Sequence, residues 1–139
     1  MKQKSERITS ILKRILTHNA NVQPYEAVLI VTDQKKEGIA RHFMVAATLL
    51  GVDPGILVIN ERKIHGEEPP TFAAEAFLQT DILLLVTSKS LTHTKATRDA
   101  VVKGVRVASM PLITEDIILR TLDTDYRKIA ADSARLVKL

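Results

Sequence analysis

The sequence predicts an α/β fold, a three-layer α/β/α sandwich around a mainly parallel four-stranded sheet of the Rossmann-like or flavodoxin-like kind. Three observations carry this reading. Short apolar runs alternate regularly with amphipathic segments of helical period. The apolar runs are continuous rather than alternating, as parallel strands covered on both faces require. The connections are short, which favours right-handed strand–helix–strand crossovers.

The elements follow in order. "SERITSILKRILTH" sets Ile8, Ile11, Leu12 and Ile15 on one helical stripe, with Ser5 placed to cap its start. "NANVQPYE" breaks that helix, and "AVLIV" at 27–31 is the first strand, delivering Thr32 and Asp33 to its carboxyl end. A helix over 36–50 turns Ile39, Phe43, Ala46, Ala47 and Leu50 inward, and Gly51 stands where a helix C-terminal glycine belongs. "GILVIN" at 55–60 is the second strand, followed by the polar stretch "ERKIHGEEPP". Pro69 and Pro70 suit the opening of a third helix bearing Phe72, Ala73, Ala76 and Phe77. "DILLLV" is the third strand, "THTKATRDAVVKG" a fourth helix closed by Gly104, and "VRVAS" the fourth strand. Thr114 caps "TEDIILRTL", whose two acids favour the positive end of the helix dipole. A final amphipathic helix, "DYRKIAADSARLVKL", carries Tyr126, Ile129, Ala130 and Leu136 on one side and runs to Leu139 without a cap.

Composition narrows the function classes. A chain of 139 residues holds one domain with a genuine core, and 45% hydrophobic with 26% charged residues is the globular profile. Cysteine is absent, which excludes a disulfide scaffold and a thiolate metal site and fits a reducing cytoplasmic setting. The longest apolar run, "ILLLV", falls far short of the ~20 residues of a membrane helix, and "MKQKSERITS" lacks the apolar core of a secretory signal. The formal charge is +4, but Lys and Arg are scattered and interleaved with acids, and only three Phe and two Tyr could stack on bases. That argues against a nucleic-acid surface.

Ligands of parallel α/β sheets collect at the carboxyl ends of the strands. The candidates there are Asp33, His65, Ser88, Lys89, Ser90, Thr92, His93 and Thr94. The stretch "LLLVTSKSLTHTKATRDA" concentrates hydroxyl groups at the start of the fourth helix, where unpaired N–H groups attract a phosphate or carboxylate. One hydroxyl suffices as a helix cap, with the others solvating the loop. No glycine occurs between Thr87 and Gly104, so neither glycine-rich phosphate loop is present. The four histidines lie in separate segments without ligand spacing, although His65 and His93 both fall in carboxyl-end loops. A triad from Ser88, His93 and Asp33 lacks the G-x-S-x-G elbow, and Lys89 as a nucleophile would need a burial its serine neighbours do not suggest.

"HGEEPP" at 65–70, with "TSKSLTHTKATRDAVVKGVRVASMPLITEDIILR" after it, resembles the amino-terminal region of the aminopeptidase T-like family, thermophilic metallopeptidases that include leucyl aminopeptidases. The similarity rests on S-x-S-L-T-H-T-x-A and A-S-M-P-x-I-T-E-D and spans nearly the whole chain. It implies a longer protein whose divalent metal (zinc, cobalt or manganese) is held by Glu, His and Asp of a carboxyl-terminal catalytic domain. No position here matches those ligands, so no catalytic residue, metal ligand or cofactor falls in this chain. On that resemblance residues 1–139 are an amino-terminal, non-catalytic domain that shapes a substrate cavity, packs against the catalytic domain and forms homo-oligomers. The residues alone leave two other readings open: a stand-alone binder of a small phosphate or carboxylate ligand, and a self-associating scaffold module.

Overall fold

A computed structural model describes residues 1–138 of the chain. The order is α1 (Lys2–His18), β1 (Val28–Asp33), α2 (Glu37–Thr48), β2 (Gly55–Ile59), α3 (Thr71–Phe77), β3 (Ile82–Val86), α4 (Lys95–Lys103), β4 (Arg106–Ser109), α5 (Glu115–Thr121) and α6 (Tyr126–Val137). The four strands form one parallel sheet in the order β2-β1-β3-β4. Among the described residues no helix is long and apolar enough to cross a membrane. The expectation that the last helix reaches Leu139 extends outside the described residues.

The apolar runs are continuous because both sheet faces are covered. On β3, Ile82, Leu84 and Val86 join the core built with Ile8, Leu12 and Phe43 of α1 and α2. Leu83 and Leu85 face the opposite core, with Phe77 of α3 and Ala100 of α4. All five β3 residues are buried. Each such leucine or isoleucine contributes roughly 1.5–3 kcal/mol by leaving water, which makes β3 the centre of the molecule.

Helix termini follow local chemistry in the middle of the chain. Thr94 accepts from the Thr97 amide at the start of α4, and Gly104 closes that helix at φ 101°. Thr114 does the same for α5 through the Ile117 amide. Ser5 does not cap α1. The helix begins at Lys2 with Met1 at the cap position, the Ser5 amide bonds the Met1 carbonyl at 3.1 Å, and Lys4 pairs with Glu115 of α5 at 2.6 Å. That tertiary tie supports a first turn that sequence pattern alone does not favour. Asp125 caps α6 by accepting from Arg127 and Lys128, yet no residue of α6 is buried.

Candidate functional site at the strand exits

Parallel register brings the strand exits together. Thr32 pairs with Val86 of β3, and Asp33 with Ile59 of β2, so the residues just beyond β1 and β3 emerge side by side. Asp33 is only 1% exposed. Its carboxylate accepts from the Ser88 amide at 2.6 Å, the Ser88 hydroxyl at 2.9 Å and the Lys35 amide at 3.1 Å. It is a clasp between two neighbouring exits. The β4 exit joins through the Leu112 amide, which donates to the Thr87 carbonyl at 3.0 Å, and through Lys36 Nζ, which donates to the Ile113 carbonyl at 2.8 Å.

The hydroxyl-rich loop is wired to itself. Thr87 Oγ1 donates to the Lys89 carbonyl at 2.7 Å, and Ser90 Oγ to Thr92 Oγ1 at 2.9 Å. Thr92 Oγ1 lies 2.6 Å from Ser109 Oγ of β4. Thr94 Oγ1 donates to the Leu91 carbonyl at 2.7 Å while capping α4. Lys89 is half-buried and gives its carbonyl to Thr87; His93 is exposed and gives its carbonyl to Arg98 Nη1 at 2.5 Å. Ser88 therefore bonds Asp33 rather than His93, and the triad geometry is not formed. Among the described residues no group of three or more His, Asp or Glu is arranged to hold a metal ion.

The segment between β2 and α3, residues 60–70, lies across this loop as a strap. His65 Nδ1 accepts from the Ser90 amide at 2.9 Å, and the Gly66 amide donates to the Ser90 carbonyl at 2.8 Å. Gly66 stands at φ 83°, a left-handed conformation that a side chain would strain. Glu68 then reaches the N-terminus of α4, accepting from the amides of Lys95 at 2.5 Å and Ala96 at 3.2 Å. The position a phosphate or carboxylate ligand would take at this helix end is filled by the chain's own carboxylate. Sequence reasoning missed Glu68 because it meets α4 at a separation of 27 positions, which no local motif encodes.

Charge elsewhere serves packing. Asp123, between α5 and α6, pairs with Arg14 and with Arg7 at 3.0 Å, and these arginines, Arg14 foremost, hold its carboxyl below the usual range. Lys4 does the same for Glu115, with His42 adding to it. Glu61 beside Lys35, 2.7 Å away at the rim, raises the lysine. An apolar cavity of about 140 Å³ lies apart from the hydroxyl loop, bounded by Ile15, Phe43, Leu84, Arg106 and Met110 beside the edge strand β4.

No protein-family model matches the chain, and no curated protein matches it. Among solved structures, the 2,5-dihydroxypyridine dioxygenase of Pseudomonas putida KT2440 is similar at a TM-score of 0.75 and 14% identity, over 93% of this chain and 41% of that one. The likeness establishes the fold. The chain thus spans about two fifths of the length of that neighbour. The resemblance to the aminopeptidase T-like family is corrected by these findings: no family model supports it, and the similar structure is a dioxygenase, not an aminopeptidase or any other hydrolase. In the structure "HGEEPP" forms part of the strap, which meets the threonine-rich loop and the start of α4 through His65 and Glu68. The expectation of zinc, cobalt or manganese in a further domain rested on the same resemblance.

Proposed function

We propose that the chain is a non-catalytic α/β docking module of a larger cytoplasmic assembly, engaging a companion domain through α6. The observation that carries this is a capped, amphipathic helix with no buried residue. Ile129, Leu136 and Val137 are 48%, 70% and 88% exposed. Tyr126, Ile129, Ala130, Ser133, Leu136 and Val137 recur at the spacing of a helix seam, while Arg127, Lys128 and Arg135 lie on the other side. The companion surface that fits is an apolar groove with acidic margins. A neighbour of the same fold that is more than twice as long supports a module working within a larger chain. Association with further copies is the second form this docking can take. The absence of cysteine fits a cytoplasmic setting, and the interleaved charges argue against a nucleic-acid surface.

Hydrogen exchange tests the reading. A helix of 12 residues without tertiary cover is marginal in water. In the dilute chain the α6 amides should exchange rapidly while those of β1 and β3 stay protected, and α6 should become protected as concentration rises or a companion is added. Full protection of α6 in a dilute monomer would show that the helix needs no partner.

A further inference from the structure

We infer that the edge strand β4 pairs antiparallel with β4 of a second copy, about a two-fold axis through Ala108. The inference is independent of the docking role of α6. Arg106 and Met110 donate their amides to the Asp81 and Leu85 carbonyls at 3.0 and 2.9 Å, so alternate residues of β4 bond the β3 side. The N–H and C=O groups of Val107 and Ser109 therefore point away from β3. No strand of the sheet lies on that side of β4. Arg106 is exposed and Val107, Ala108 and Ser109 are half-buried, while every residue of β3 is buried.

The edge selects its own copy and one register. Facing residues of an antiparallel pair exchange both bonds at alternate positions. Val107 opposite the partner's Ser109 thus gives two bonds, symmetry repeats them, and every outward group of both residues is engaged. A centre at Val107 would set Ser109 opposite the Val105 amide, which already donates to the Ala100 carbonyl at 3.0 Å. A centre at Ser109 would set Val107 opposite Pro111, which has no N–H. Only the Ala108 register leaves no Val107 or Ser109 carbonyl unpaired. Edge strands commonly resist such pairing with lysine, proline or a bulge. Val107, Ala108 and Ser109 carry none of these, and the one nearby charge, Arg106, is held by Glu26 at 2.7 Å. Pairing also sets the partner's Met110 opposite Arg106, on the face where Arg106, Ala108 and Met110 border the apolar cavity of about 140 Å³. An apolar side chain of the second copy then covers that cavity's open flank.

Sedimentation and amide exchange of the full chain test this together. Four main-chain bonds make a small interface of the weak class, so the concentration series runs to about 1 mM. The average mass should rise from one chain towards two, and the Val107 and Ser109 amides should gain protection in step with it. The Ala108 amide, on the β3 side, should be protected throughout. Val107→Pro removes a donor that the single chain does not use, at a position where an edge strand accepts proline. It deletes two of the four bonds, so the dissociation constant should rise about tenfold or more with circular dichroism retained. Should that variant misfold, exchange in the native chain still decides. A monomer across the whole series, an unchanged constant in a folded Val107→Pro, or association that protects α6 while Val107 and Ser109 still exchange freely would overturn the assignment.

Discussion

Asp33 is the residue on which the rim depends most, and its removal has a calculable cost. Asp33→Ala leaves the Ser88 amide, itself buried, without the acceptor now 2.6 Å away. Hydrogen bonds to a charged group contribute about 1.5–3 kcal/mol each, and a buried donor stripped of its partner retains its desolvation penalty. The Ser88 hydroxyl and the part-buried Lys35 amide each lose an acceptor as well, and water can replace the second in part because Lys35 itself is exposed. The expected loss is about 3–4 kcal/mol, a large share of a domain stability of about 5–15 kcal/mol. Asp33→Asn keeps one oxygen and should cost about 1–2 kcal/mol; Ser88→Ala removes one hydroxyl and should cost about 1 kcal/mol. Urea unfolding followed by circular dichroism measures all three, with unchanged slopes as the condition for comparing midpoints. A loss below about 0.5 kcal/mol for Asp33→Ala, or an equal loss for Ser88→Ala, would refute the clasp.

Four further outcomes follow from the same contacts. Thr94→Ala should destabilise by about 1 kcal/mol in the same urea assay, through loss of the α4 cap. Glu68→Ala empties the carboxylate position at α4, so acetate at tens of millimolar should raise its melting temperature more than it raises that of the native chain. Leu112 holds φ 62° with its side chain 55% exposed, so Leu112→Asn should stabilise by about 0.5–1 kcal/mol in urea by relieving a conformation costly for a bulky residue. Glu115 and Asp123 have lowered pKa values in the folded chain, so their contribution is present above the ordinary carboxylate range and lost as pH falls through it. Melting temperature should drop on acidification below about pH 5, and Lys4→Met with Arg7→Met should flatten that limb.

What was legible in the sequence was what short range determines. The run "ILLLV" announced a strand covered on both sides, and β3 is that strand, with alternate residues in the two cores. Gly104 and Thr114 stand one turn or less from the groups they satisfy, so pattern sufficed to place them, whereas the fourth helix, expected from Thr92, begins at Lys95 with Thr94 as its cap. Gathering of the exits followed from parallel order, and Asp33 meets Ser88 although 55 positions separate them. The fate of the hydroxyl loop was not legible. Whether Ser90 and the α4 amides face a ligand or another part of the chain depends on where residues 60–70 cross, and local spacing is silent on that. The start of α1 was misplaced at Ser5 for the same reason, since a contact with Glu115 supports the earlier turn.

The distribution of satisfied and unsatisfied surface then says where association free energy resides. At the rim the strongest donors are already engaged: the Ser88 amide by Asp33, the Lys95 and Ala96 amides by Glu68. An incoming carboxylate gains only the difference between its own bonds and those it displaces, and it competes with a tethered group whose effective concentration is in the millimolar range or above. At α6 there is no such competitor. In the proposed docking, covering Ile129, Leu136 and Val137 removes apolar area from water at about 25 cal/mol per Å², less the cost of ordering a helix that is marginal when uncovered. Asp123, held by two arginines of α1, fixes the root of the helix. On the docking role proposed for α6, substitutions that add charge at Leu136 should weaken assembly while leaving the melting of the domain unchanged, because no residue of α6 is buried.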